Sequence, residues 1–164
     1  MLPATQIIVN SCLFVVAFGA VVWWSLWWNP RIWLHDFPTL MKAAQPPLQP
    51  WEKRQQYVVL IVFLIVLVGL PVFLNTQLRA TMGSNFTFGI AFMNTWLMLQ
   101  LANLYDAIGI DWLISTRPPK FAIVAGTEPY LYLLLDKQWH LQNFAKGFVG
   151  MTVVALIFAV VAMV

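Results

Sequence analysis

Charge is scarce in this sequence. Aspartate, glutamate, lysine and arginine make up 9% of its 164 residues, against about 25% in an average soluble domain, so water is not the main solvent of the folded chain. The nine basic residues are scattered, with only Lys53 and Arg54 adjoining. No basic patch is extensive enough to neutralise a run of phosphates, which argues against nucleic acid as a partner. Cysteine is scarcer still. Cys12 stands alone, which excludes an internal disulfide, a CxxC pair and a thiolate zinc site within one chain. Set in an apolar run, it reads as a small core or lipid-facing residue rather than a reactive thiol. The sequence also lacks a nucleotide-binding loop, a nucleophile elbow and HExxH or ExxH metal spacing.

What it has is hydrophobic residues, 61% of the chain, gathered in long blocks. Each helical residue adds about 1.5 Å, so about 20 apolar residues cross a hydrocarbon core about 30 Å thick. Four runs qualify, over 7–28, 57–75, 86–105 and 147–164. Backbone groups in lipid must bond internally, so these runs are predicted as helices. The expected fold is all-α membrane: one domain over residues 1–164, four transmembrane helices in a bundle, and short interfacial helices in the two long inner loops. The first run ends in tryptophans and has no lysine or arginine before it, unlike a cleaved secretory signal, and is expected to stay in the mature protein. A short turn around Thr76–Ser84, broken by Gly83 and Ser84, should join the second and third helices as a hairpin. Pro71 should kink the second.

Lysine and arginine set the expected orientation. Loop 29–56 holds Arg31, Lys42, Lys53 and Arg54, loop 106–146 holds Arg117, Lys120, Lys137 and Lys146, and the opposite side holds Arg79 alone. Both long loops are therefore expected in the cytoplasm and both termini outside. Trp23, Trp24, Trp27, Trp28, Trp33, Trp51, Trp112 and Trp139 fall at or near the inner boundary, where amphipathic rings anchor a helix. Only Trp96 lies in mid-span. Phe121–Leu135 is apolar but interrupted by Gly126, Glu128 and Pro129, and reads as interfacial or re-entrant.

Loop one opens Asn29-Pro30-Arg31-Ile32-Trp33-Leu34-His35-Asp36-Phe37-Pro38. Asn followed by Pro starts a helix and Pro38 blocks its continuation. A short interfacial helix is expected, with Ile32, Trp33 and Phe37 among the headgroups and Arg31 beside His35 at i, i+4. Glu52, Lys53 and Arg54 should sit at headgroup level. This stretch, after a Trp-rich first helix, resembles a family of bacterial multi-span integral membrane proteins with the motif N-P-R-x(4)-D-[FY]-P and no assigned activity. Looser similarity covers Gly126-Thr127 and the spacing of His140, Phe144 and Gly147. The resemblance implies a small protein of the bacterial inner membrane. It marks Asn29, Pro30, Arg31, Asp36 and Pro38 as motif positions, equally readable as a structural elbow, and carries over no functional residue.

Loop three is the more chemical one. Thr127 can cap a helix and Pro129 fits its first turn, so a helix is expected from there toward the fourth span. On it Glu128, Tyr132, Asp136 and His140 recur every four residues, and Asp136 would orient the His140 imidazole as in general bases and supported metal ligands. An ordinary solvated helix face has the same pattern. The third span is polar for its setting: Gln100, Asn103, Asp106 and Asp111 fall within about 140° of arc on the side that carries Trp96. Asn94, Gln100 and Asn103 read as interhelical hydrogen-bonding residues. Asp106, a carboxylate near membrane depth, is a functional candidate by default. The candidate catalytic residues are thus His140, Asp136, Asp106 and His35.

Three functions compete. A non-catalytic subunit, partner-binding or homo-oligomeric membrane protein needs the fewest assumptions, its partners being the lipid bilayer and other chains within it. A membrane-embedded enzyme, or a binder of haem, metal or lipid, would use the candidate residues at the cytoplasmic leaflet, with His35 and His140 placed to share one metal. A small transporter is the third, although no paired broken helices or repeats accompany it.

Overall fold

Residues 3–164 are described by a computed structural model, and among them the chain is helical throughout, without strands. Helix α1 (Pro3–Trp28) leads into a 3₁₀ turn over Pro30–Asp36, then α2 (Thr39–Ala43) and α3 (Pro50–Leu64). A π-helical segment, Ile65–Gly69, joins α3 to α4 (Leu70–Met82), and a tight turn at Gly83–Asn85 leads to α5 (Phe88–Tyr105). A second π-helical segment, Asp106–Asp111, carries α5 into α6 (Trp112–Thr116). Two 3₁₀ pieces, Lys120–Ala122 and Glu128–Leu135, precede α7 (Lys137–Met163).

Three of these rods are long and apolar enough to cross a membrane: Ala4–Trp28, Pro50–Asn85 and Lys137–Met163. The 18 residues of α5 reach about 27 Å at 1.5 Å each, but Asn94, Thr95, Gln100 and Asn103 make it less apolar. Its position explains this. α5 lies between α1 and α7 and buries Ala91, Asn94, Thr95, Met98, Leu99, Gln100 and Ala102. α7, by contrast, buries only Ala155 and Ala159. The least apolar rod is the central one, so its polar groups find partners on neighbouring helices.

The core follows a ridge on α1. Phe14, Phe18, Val22 and Leu26 recur every fourth residue and meet Met98, Leu99, Ala102, Ile110 and Ile114, the spacing that lines up side chains on one helix face. Tyr105 is wedged between α1 and the second π segment. A Cβ at Gly19 would lie 2.7 Å from its ring and one at Gly109 2.8 Å away, so both positions require glycine. The Tyr105 hydroxyl accepts from Trp23 Nε1–H at 2.9 Å.

Several element boundaries differ from the sequence expectation. Residues 76–82, expected as turn, are helical, and the reversal waits for Gly83, whose φ of +55° suits glycine. At Pro71 the missing N–H and the ring would disturb the preceding turn; that turn is π-helical, with Leu70 N–H bonding to the Ile65 carbonyl five residues back. α7 begins at Lys137 rather than near 147. The short helix of loop one is 3₁₀ rather than α, as is Glu128–Leu135. The Phe121–Leu135 stretch lies against α1 and α6 and buries Ala122, Val124 and Leu134.

Candidate functional site

At the end of the bundle formed by the two long loops, the first half of the N-P-R-x(4)-D-F-P motif builds an elbow. Asn29 Oδ1 accepts from the Arg31 backbone N–H at 3.0 Å, and its amide donates to Gln55 Oε1 at 2.8 Å. Pro30 occupies the first turn, where its missing N–H costs nothing. Arg31 Nε lies 2.7 Å from Glu52 Oε1, and its other nitrogens donate to Gln45 Oε1 at 3.1 Å and the Pro46 carbonyl at 3.0 Å. Glu52 Oε2 closes the cap of α3 by accepting from Gln49 N–H at 2.7 Å. The Gln45 amide reaches across to the Ala125 carbonyl at 3.0 Å, so the elbow ties loop one to loop three.

Glu52 is 2% exposed, held inside the elbow by Arg31 and the Gln49 N–H. One expectation is corrected here. Arg31 does not neighbour His35: a 3₁₀ helix has three residues per turn, so positions four apart diverge by a third of a turn. Arg31 faces Glu52, while His35 Nε2 lies 3.2 Å from Asp36 Oδ2.

The second half of the motif opens onto a cavity of about 720 Å³. Asp36 and Pro38 reach it from loop one, together with His35 and Lys42. Asp106 and Asp111 reach it from the second π segment, and Trp33, Phe37, Phe63 and Trp139 supply aromatic wall. Five residues apart, Asp106 and Asp111 would point well away from each other on an α-helix, whereas the π-helical turn stacks residue i on residue i+5. Three carboxylates thus share one hollow with a single ammonium, Lys42, whose Nζ already donates to the His35 carbonyl at 3.0 Å. Burial raises the Asp36 carboxyl above its ordinary value, and His35 and Lys42 offset part of that rise. Asp111, beyond the apolar run of α5, is raised by burial and further by Asp36. Like charges facing a shared hollow disfavour each other's ionised form.

His140 does not line this cavity. The expected stripe of Glu128, Tyr132, Asp136 and His140 does not exist, because Asp136 is extended (ψ 101°) and interrupts the helix. Asp136 is instead the N-cap of α7, its Oδ1 accepting from Gln138 N–H at 2.9 Å and Trp139 N–H at 3.3 Å, the role short acidic side chains favour at helix starts. Glu128 accepts from Gly126 N–H at 2.7 Å, ahead of the turn it begins, and Thr127, expected as the cap there, instead donates its hydroxyl to the Val124 carbonyl at 2.7 Å. The carboxylate beside His140 is Asp111, 3.8 Å from Nδ1.

His140 Nε2 lies 3.0 Å from Ser115 Oγ, so serine, histidine and aspartate come together in a sequence familiar from hydrolases. The hydrogen bonding opposes that chemistry. Nε2 is also 2.6 Å from the Leu134 carbonyl, and a carbonyl only accepts, so Nε2 carries hydrogen and is not free to take a proton from serine. Ser115 Oγ in turn donates to the Asp111 carbonyl at 2.6 Å. The constellation fastens α7 and the Glu128–Leu135 segment to α6.

The interhelical polar residues lie elsewhere. Gln100 Nε2 donates to the Phe148 carbonyl at 2.9 Å and Thr152 Oγ1 at 3.0 Å, Trp96 Nε1 donates to the same hydroxyl at 3.1 Å, and Asn103 Nδ2 donates to the Phe144 carbonyl at 3.2 Å. All join α5 to α7. Asn94 belongs to a separate chain of amides: Gln6 donates to Asn10 at 3.1 Å, Asn10 to Asn94 at 3.0 Å, Asn94 to Asn75 at 3.0 Å, and Asn75 to Thr95 at 2.7 Å.

Of the four candidate catalytic residues, then, the structure brings His35 and Asp106 to one cavity and leaves His140 and Asp136 outside its lining. Among the described residues no group of three or more His, Cys, Asp or Glu is placed to hold a metal ion. No family model, curated protein or solved structure matches the chain.

Proposed function

We propose that this protein is a four-span membrane protein that holds a small organic cation in the acid-lined cavity at its loop end, acting as a binding subunit rather than an enzyme. The observation that carries the reading is the cavity itself: Asp36, Asp106 and Asp111 converge on it from two separate parts of the chain, against one lysine. A cation entering there relieves the mutual repulsion of the carboxylates beside an aromatic wall that includes Trp33 and Trp139, the combination that suits an ammonium group. α5 is the fourth crossing in this reading, screened from lipid by its neighbours, and the exposed faces of α1, α3 and α7 meet the bilayer. The eight basic residues of the long loops put the cavity on the cytoplasmic side, in a bacterial plasma membrane as the motif resemblance implies.

The direct test is tetramethylammonium titrated at low ionic strength into the full chain in nanodiscs, read by tryptophan emission. Saturable change is expected in the wild type, with at least tenfold weaker binding in Asp36→Asn/Asp111→Asn. Because both carboxyls titrate above their usual range, binding should strengthen as pH rises above about 4, with Asp106, His35 and Lys42 facing the same hollow and His140 behind Asp111. A response of equal size in the double variant, or to a neutral molecule of the same shape, refutes the assignment.

A further inference from the structure

A second hollow, of about 370 Å³, adjoins the acid-lined cavity, and Trp33, His35 and Phe63 line both. Past that common wall its lining is Ile32, Val59 and Leu60, flanked by Gln56 and Tyr57. Its polar side chains are largely committed: Gln56 donates its amide to the Ile32 carbonyl at 3.1 Å, and Trp33 Nε1–H donates to Ser25 Oγ at 2.9 Å, so each presents mainly apolar surface. Trp33 and Phe63 meet edge to face at 6.0 Å and 69°, an aromatic pair that lines both hollows. The slot lies between the Pro30–Asp36 turn and α3 on the side where Tyr57 and Leu60 are 65% and 48% exposed, so it opens sideways, toward lipid in the membrane reading above.

An acidic compartment beside an apolar slot, with three lining residues in common, has the outline of a two-part site. Resting on the reading that the larger cavity takes a cation, we infer that its ligand is a single-chain amphiphile with an ammonium headgroup: the ammonium sits among Asp36, Asp106 and Asp111, and the alkyl chain runs along Ile32, Val59 and Leu60. The charge of the compartment selects the headgroup, since a phosphate or sulfate in its place would face three carboxylates. The size of the slot, about half that of the cavity, selects one chain rather than two. Little affinity comes from moving an alkyl chain out of lipid into a lipid-like slot. The slot instead sets how the ligand arrives and lies, and the headgroup supplies discrimination.

Photolabelling tests this assignment. The full chain in phosphatidylcholine nanodiscs is irradiated with dodecylamine carrying a diazirine at the end of its chain, and the labelled peptides are mapped. Label is expected to concentrate on residues 56–63 and on Ile32 and Trp33. A tenfold excess of dodecylamine should reduce it at least fivefold, and the same excess of dodecyl sulfate should not. Leu60→Trp, which fills the slot without touching the aspartates, should displace the label and leave the tetramethylammonium response intact. Label spread over the exposed faces of α1, α3 and α7 whatever the competitor, or equal competition by dodecyl sulfate, overturns the inference. If tetramethylammonium binds but the slot stays unlabelled, the tail assignment falls alone; if neither occurs, both readings fall.

Discussion

Two polar regions inside this protein are built to opposite rules. Near the Gly83 hairpin, Gln6, Asn10, Asn94, Asn75 and Thr95 hand hydrogen bonds from one to the next across α1, α5 and α4. Asn10 and Asn75 are 2% exposed and Asn94 and Thr95 wholly buried, so the seam is dry and satisfied. At the loop end, Asp36, Asp106 and Asp111 line one cavity, and burial raises the carboxyls of Asp36 and Asp111. The groups of the seam are paired with each other; the carboxylates facing the hollow have only partial partners, His35 at 3.2 Å from Asp36 and His140 at 3.8 Å from Asp111. The first pattern stabilises, and the second costs stability that a ligand can return.

That contrast can be broken by substitution. The largest effect is expected at the elbow beside the cavity: Arg31→Ala leaves Glu52 buried without its cationic partner and should cost about 3 kcal/mol, measured by reversible unfolding in mixed micelles, with Glu52→Gln added to Arg31→Ala recovering part of the loss. Asn94→Ala, which breaks the seam at its hub, should cost about 1–2 kcal/mol in the same assay, given about 0.6–1.7 kcal/mol per interhelical bond. Asp136→Ala removes the cap of α7 and should cost about 1 kcal/mol while leaving cation binding unchanged, which separates its structural role from the catalytic one its spacing suggests. Asp111→Asn should have the smallest effect and the opposite sign. Since the folded pKa of Asp111 is raised, its protonated form favours the fold, and that contribution is lost as pH climbs from about 4 through the raised value. The amide should therefore raise the melting temperature at neutral pH by about 1–3 °C, and a fall as large as that of Asn94→Ala would erase the distinction between the two regions.

Long apolar rods were legible in the sequence because length and composition alone define them, and Gly83 announced the hairpin as the residue that tolerates positive φ. What escaped was structure that depends on a local change of helix type or on distant partners. Asp136 and His140 are spaced for one α-helical face, yet Asp136 heads Lys-Gln-Trp as a cap, and that signature outcompetes periodicity. The 100° rule puts Asp106 and Asp111 on one side but at opposite edges of a 140° arc; the π-helical turn is what brings both to one hollow. Glu52 meets Arg31 across a loop, a pairing invisible to any window of nearby residues. Asp106, the motif acid Asp36 and, within the polar arc, Asp111 were named in sequence; Lys42 and Trp139 join the cavity through tertiary geometry.

The second π-helical segment carries one spare residue in an otherwise regular rod. Rewinding these same residues as plain α-helix would swing everything after them by about 100°. Asp111 would leave the hollow and Ser115 would lose His140, with every side chain that matters still encoded. The recess thus depends on an irregularity in winding as much as on composition, and a homologue one residue shorter in that stretch, with its aspartates four apart on a plain α-helix about 40° from one another, would keep both on one face without it.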